Sequence, residues 1–309
     1  MHYSPILLGL ILLLSSLTAH EKPTPFLRNI LQEFPSVRDL ALGVNEAYFT
    51  IQSPLGEVSV IMVSRKIRNK WRKPKVASFS GSYSDLEPFL SDDGKRLYFA
   101  SNRPLSVDST SSKDYDLWVV ERESPKAKWS PPINLGPPVN TEHNEFYPSI
   151  SQNGNLFFTS DGPDSKGKDD IYFSLRKDDA FETPISLGDS INSPGYEFNA
   201  FIAPDESYLI FTGYNRPDGL GSGDLYISFR ESDNTWTRAA NLGDKFNSKF
   251  MDYCPLVDTK SQTLYFTSRR SDVEFPSAGF TGTEALLQEL NKSSNGQSRL
   301  YQTHFEVHK

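Results

Sequence analysis

The chain has 309 residues, 32 Lys and Arg against 39 Asp and Glu, a net charge of −7, and one cysteine. The acidic balance excludes a nucleic-acid groove or an anionic membrane surface as the main partner. The lone Cys254 excludes an intramolecular disulfide and any cysteine-based zinc cluster. Nineteen Gly and 21 Pro call for many turns, and 21 Phe with 14 Tyr favour strands.

In chain order the first feature is Ile6 to Leu14, an apolar run broken by Gly9 and followed by small and polar residues through Ala19. It is too short for a membrane-spanning helix of ~20 residues. Its length matches the core of an export signal, although the preceding segment carries no Lys or Arg. The reading is a signal peptide over residues 1–19, cut after Ala19, and one domain over 20–309. The mature chain is then periplasmic or secreted, not membrane-embedded, and a monomer.

From residue 85 onward one pattern recurs. An acid opens each unit: Asp85, Glu145, Glu197 and Asp252. A polar turn follows, then an aromatic strand such as Leu97-Tyr98-Phe99 or Leu156-Phe157-Phe158. Next comes a strand led by Asp116, Asp170 or Asp224, at intervals of 54 residues. A closing strand opens at Trp129, Phe181 or Trp236 and ends in Leu-Gly. Runs of four to six residues bounded by turn formers are strands, so each unit reads as four short strands. A lone four-stranded sheet cannot bury two apolar faces, whereas radial stacking buries both. A β-sandwich would not need one period with matched landmarks. The fold class is therefore all-β, a propeller of four-stranded blades at about 37–83, 84–141, 142–193, 194–248 and 249–309. Five blades are expected, with six as the alternative. The last unit lacks a fourth strand, which residues 23–35 can supply, because Thr24-Pro25-Phe26-Leu27 echoes Thr183-Pro184-Ile185-Ser186-Leu187. Between residues 271 and 297 the last blade holds an insertion. Its Thr283–Asn291 stretch reads as a two-turn helix capped by Thr281 or Thr283, with Leu286, Leu287 and Leu290 on one face. It either lids the channel or packs beside its own blade.

Four elements carry a resemblance: Glu145, Pro148 and Ser151; Phe158 and Ser160; Asp170-Ile171-Tyr172; and Asn134-Leu135-Gly136. Together they resemble the repeats of exported TolB-type, WD-repeat-like β-propellers, over roughly residues 84–270. The resemblance implies architecture and leaves activity open, since the family contains binding platforms, translocation partners and hydrolase domains. The chain departs from it at Pro35, which stands where the first blade would place its acid, and at Ser298 or Arg299 in place of the last third-strand Asp.

The acid column should ring one channel mouth, with Asn140, Asn192 and Asn247 on the same rim. Arg103, Arg216, Arg269 and Arg270 should reach that face from the ends of second strands. These eleven residues are the ligand-binding candidates; the bland reading makes them ion pairs and turn bonds. Asp116, Asp170 and Asp224 are read as structural, accepting N–H bonds from the turns before them. The acidic loop 161–169 lacks the alternating ligands of a calcium site. The Gly219–Gly223 stretch opens no helix and so makes no phosphate loop. His143 is a lone rim histidine. No metal or cofactor is implied, and no catalytic motif appears. The reading is a non-catalytic binding or scaffold protein for a protein, peptide or glycan. The alternative is a glycan hydrolase or lyase using two of Glu145, Glu197 and Asp252.

Overall fold

The computed structural model describes residues 22–106 and 113–307, so the export-signal segment lies outside the described residues. Five antiparallel four-stranded units surround one axis. Blade 1 comprises Ser36–Leu42, Glu46–Gln52, Ser59–Ile67 and Lys75–Val76, with Lys70–Trp71 as an added fifth strand. Blade 2 comprises Asp85–Leu90, Arg96–Ser101, Asp116–Glu121 and Ile133–Asn134. Blade 3 comprises Glu145–Ile150, Leu156–Ser160, Asp170–Ser174 and Ile185–Ser186. Blade 4 comprises Tyr196–Ile202, Tyr208–Tyr214, Gly223–Phe229 and Ala240–Asn241. Blade 5 comprises Asp252–Asp258, Thr263–Ser268 and Arg299–His304, and its outer strand is Thr24–Pro25. Thr24 pairs with Gln302 and Pro25 with Tyr301. This pairing leaves no free edge on the third strand of the last blade. The short helix α1 (Arg28–Leu31) then leads into blade 1.

Alternation along the second strands explains the stacking. Successive side chains point to opposite sheet faces, yet Leu156, Phe157 and Phe158 are all buried. Leu156 and Phe158 pack toward blade 2 with Leu86, Ala100 and Leu117, while Phe157 packs toward blade 4 with Leu209 and Phe211. Every neighbouring pair of blades shares such a core. In the pair that closes the circle, Tyr265 and Leu300 of blade 5 meet Val37 and Phe49 of blade 1. Each fully buried Leu or Phe contributes about 1.5–3 kcal/mol, so the inter-blade cores hold the ring together.

The insertion helix α2 spans Thr283–Leu290. Its cap position is Gly282 in extended conformation, without a side-chain cap bond, which corrects the expected threonine cap. No residue of α2 is buried. No helix among the described residues is long and apolar enough to cross a membrane.

Candidate functional site

The acid column lies where the repeat places it, but its members are sealed. Asp85, Glu145, Glu197 and Asp252 are fully buried at the start of first strands. They are not the lining of an open mouth. A guanidinium neutralises three of them: Arg103 Nη2 to Asp85 Oδ1 at 2.6 Å, Arg216 Nη2 to Glu197 Oε1 at 2.9 Å, and Arg270 Nη2 to Asp252 Oδ1 at 2.8 Å. Each arginine also donates to the carbonyl of Phe79, Ile191 or Phe246 in the preceding inter-blade loop. Each lies over rings of its own blade. Arg103 sits 4.9 Å from the Phe99 centroid, Arg216 4.7 Å from Tyr226, and Arg270 4.8 Å from Tyr301. Hydrogen-bonded charge pairs with stacked guanidinium groups suit a buried setting. Arg269 is exposed and bonds Ser298, so Arg270 is the repeat-equivalent residue of the two.

Blade 3 breaks the rule. Gly162 occupies the arginine position, two residues after Ser160, as Arg103 follows Ser101. Among the described residues the Glu145 carboxylate receives only Thr141, from its amide and its hydroxyl. Burial pushes its pKa up to about 7. Burial, with Asp161 and Asp170 nearby, also pushes Asp169 up to about 6.

The asparagines are struts. Asn140 accepts from Leu117 N at 2.9 Å and donates to Leu117 O at 2.9 Å. Asn192 does the same with Ile171, and Asn247 with Leu225. Both ends of each amide are thus engaged by a third strand. The Asp trio anchors loops and outer strands. Asp170 accepts from the Lys166 and Gly167 amides, Asp224 from the Leu220 and Gly221 amides. Asp116 instead takes Lys113 Nζ at 2.9 Å and Asn134 Nδ2 at 2.8 Å.

A second ring lies two residues further along each first strand. All five first strands shift register there. The bulged residues are Asp39, Glu87, Tyr147, Asn199 and Cys254, with φ between 47° and 59°. Left-handed backbone is costly for such residues, and such outliers cluster at functional sites. The bulge turns each side chain toward the other blades, and five blades meet only at the axis. Cys254 Sγ donates to Asp39 Oδ1 at 2.7 Å and to Asn199 Oδ1 at 3.2 Å. Asn199 Nδ2 donates to Glu87 Oε1 at 3.1 Å. Tyr147 donates its amide to Glu87 Oε2 at 2.8 Å and its hydroxyl to the Pro255 carbonyl at 3.0 Å. Arg38 contacts both carboxylates at 2.7 Å. It lies over the Tyr253 ring, 5.2 Å from its centroid.

The bulged amides of Asp39, Glu87 and Asn199 are held by hydroxyls of Thr267, Thr50 and Thr159 in the preceding blade. Ala100 stands at that position before Tyr147, and there Glu87 replaces the hydroxyl. Two carboxyls share one guanidinium. Desolvation, against the pull of Arg38 and with Asp39 adding repulsion, pushes Glu87 up to about 7. Burial with Asp39 close by pushes the Cys254 thiol well up. Arg38 keeps the largest solvent-facing part, 16% of its side chain, against 8% for Tyr147 and less for the others. The channel is thus closed by a polar knot rather than open as a cup.

Sequence reasoning missed this ring because its five residue types all differ. It also misplaced the first blade's acid position: Val37, paired with Ile51 as Asp85 is with Ser101, occupies it, not Pro35. Among the described residues no three His, Cys, Asp or Glu side chains converge as metal ligands would.

No family model and no curated protein matches the chain. Solved structures do. The endo-arabinase from Bacteroides thetaiotaomicron aligns at 16% identity over 94% of this chain and 99% of that one, with a TM-score of 0.56. The α-L-arabinofuranosidase of Podospora anserina, solved with cellotriose, aligns at 12% identity over 91% and 93%, TM-score 0.53. TolB from Acinetobacter baumannii aligns at 11% identity over 86% of this chain, TM-score 0.44, and this chain spans 54% of TolB. At these identities the likeness to the endo-arabinase and the arabinofuranosidase is one of fold, the propeller.

Proposed function

We propose that the chain is an exported, non-catalytic binding propeller, related in its repeats to the TolB-type family, that engages a protein partner through the face of the acid ring. The support lies in a contrast between the channel and the loops around it. The channel spends its polar groups on itself. The loops between second and third strands, on the same face, expose Leu55 and Val58 in blade 1, Leu105 in blade 2, Leu220 in blade 4 and Phe275 in blade 5. The opposite face exposes Val44, Ile67 and Leu175 at its turns, with Val307 just past the last strand, a smaller set with no aromatic side chain. Exposed apolar side chains gathered on one face mark interaction surfaces. The apolar run Ile6 to Leu14 supports export.

The test is site-specific photo-crosslinking in the native cell. Probes at Leu55, Leu105 and Leu220 should give discrete protein adducts, and probes at Val44 and Leu175 should not. Adducts only from the second set, or from neither, would overturn the reading.

A glycan hydrolase is the second reading. Glu87, holding its proton near neutral pH beside Asp39, has the electrostatics of an acid–base pair, and the fold is shared with the two glycosidases above. The pair would then be Asp39 and Glu87, not the rim acids. Release of reducing sugar from arabinan or arabinoxylan, abolished by Glu87→Gln, would establish it.

A further inference from the structure

The insertion of blade 5 is built as an arm rather than a lid. Its ends are tied together by a bridge between Ser271 and Asn295 and by the Asp272 amide on the Ser294 carbonyl. Tyr301 Oη clamps the base through Ser294 Oγ at 2.8 Å. Inside it, the Glu274 amide donates to Glu289 Oε1 at 2.6 Å, and Phe275 meets Phe280 edge-on at 5.2 Å. The Lys292 ammonium holds Glu289 Oε1 at 2.6 Å and the Asp272 carbonyl at 2.8 Å. A loop whose ends meet and whose residues bond one another needs no other surface to keep its shape.

Its apolar residues nevertheless face water. Leu286, Leu287 and Leu290 are 37–50% exposed and Phe275 is 82% exposed. The three leucines share one helix face, spaced three and four apart. Burying each would recover much of its transfer free energy. The charge around them is one-sided. Residues 271–297 hold Asp272, Glu274, Glu284 and Glu289 against Lys292 alone, and Lys292 is spent on Glu289. Two copies of such an arm would bring like charges together, which disfavours a second copy of this chain as the occupant.

We infer that the α2 face and Phe275 form a docking arm for a basic amphipathic segment of a partner protein, with apolar side chains against the leucines and Lys or Arg against Asp272, Glu274 and Glu284. This rests on the binding-platform reading and names the partner's chemistry. The segment would lay its apolar face along the arm, as helices do in apolar grooves.

The experiment uses the full mature chain and three synthetic 18-residue amphipathic helices. They share one leucine face and differ in flanks of Lys, Gln or Glu, and binding is read by fluorescence anisotropy. The Lys peptide should bind at least tenfold more tightly than the Glu peptide. That preference should shrink between 50 and 500 mM salt. Leu286→Ser, Leu287→Ser and Leu290→Ser combined should abolish binding with an unchanged melting temperature, since all three are exposed. Equal binding of all three peptides, or binding unaffected by the triple variant, overturns the arm. If Leu55→Ser with Leu105→Ser removes binding and the triple variant does not, the arm fails while the platform reading stands. If no peptide binds and the loop crosslinks are also absent, both fail. A concentration-dependent dimer dispersed by the triple variant would identify a second copy as the occupant and overturn the basic-segment inference.

Discussion

The rim and the axis of this propeller are built from the same strands, two residues apart, yet they handle buried charge differently. At the rim each of Asp85, Glu197 and Asp252 has its own arginine, so every unit is neutral and self-contained. At the axis Asp39 and Glu87 share Arg38, and Tyr147, Asn199 and Cys254 from three other blades add hydrogen bonds to them, while Asp39 Oδ2 stays buried without a partner among the described residues. The rim is thus a local solution copied from blade to blade. The axis is a single solution that no blade can make alone. The difference teaches that repetition in this chain marks scaffold, and that the column without repetition marks the place where the blades become one object.

The largest effects should come from removing a cation. Arg103→Met strands Asp85 in a dry site and should cost about 3–5 kcal/mol at every pH above the carboxylate range, read as a fall in melting temperature. Arg38→Met should cost as much at pH 8 but markedly less at pH 5, where a carboxyl of the axial pair takes up a proton. Equal losses at both pH values would erase the distinction between rim and axis.

The pH dependence of the native chain comes next. Glu87 and Glu145 are both raised to about 7 from the ordinary glutamate value. The folded state therefore binds protons more tightly than the unfolded chain between about pH 4.5 and 7. The contribution of these two groups to stability is full below that window, falls as pH rises through it, and is level above it. A Glu145→Gln variant should remove on the order of 2 kcal/mol of that slope. A melting temperature that rises from pH 5 to 8 would contradict the assignment.

Blade 3 permits the converse experiment. Gly162 does not use a left-handed backbone, and a Cβ there would meet only Ser160 Oγ, at 3.5 Å. Gly162→Arg should supply the missing guanidinium, raise stability by about 1–2 kcal/mol and flatten the pH slope due to Glu145. If the slope persists, the rim rule is not transferable. A smaller loss, about 1–2 kcal/mol, is expected for Asp170→Ala, which frees the Lys166 and Gly167 amides. An unchanged melting temperature would reject that anchoring role.

What the sequence made legible follows the same division. Five blades of four strands could be read because Leu97-Tyr98-Phe99 and its counterparts recur with their turns, and a recurring strand needs a recurring neighbour. The acid, Asn and Asp columns were visible for the same reason. What recurrence left open was whether they face solvent. The arginines fold back over Phe99, Phe211 and Phe266 of their own blades instead of projecting from the face. The axial column was hidden because Asp39, Glu87, Tyr147, Asn199 and Cys254 have nothing chemical in common. Its one signal was positional: two residues after the acid and immediately before Pro88, Pro148, Ala200 or Pro255. Blade 1 was mis-registered by two residues because Val37 carries no charge to mark the column.

The sealed axis has a built-in reporter, since Cys254 is the chain's only cysteine and is fully buried in the knot. The decisive measurement is the rate at which its thiol reacts with a small alkylating agent in the native protein at pH 8, compared with the same protein in denaturant. Closure of the channel by Arg38, Asp39, Glu87, Tyr147, Asn199 and Cys254 predicts native labelling at least a thousandfold slower, accelerated by Arg38→Met. Native labelling within tenfold of the denatured rate would mean that solvent enters the channel freely, and would contradict the closed propeller on which the binding-face reading depends.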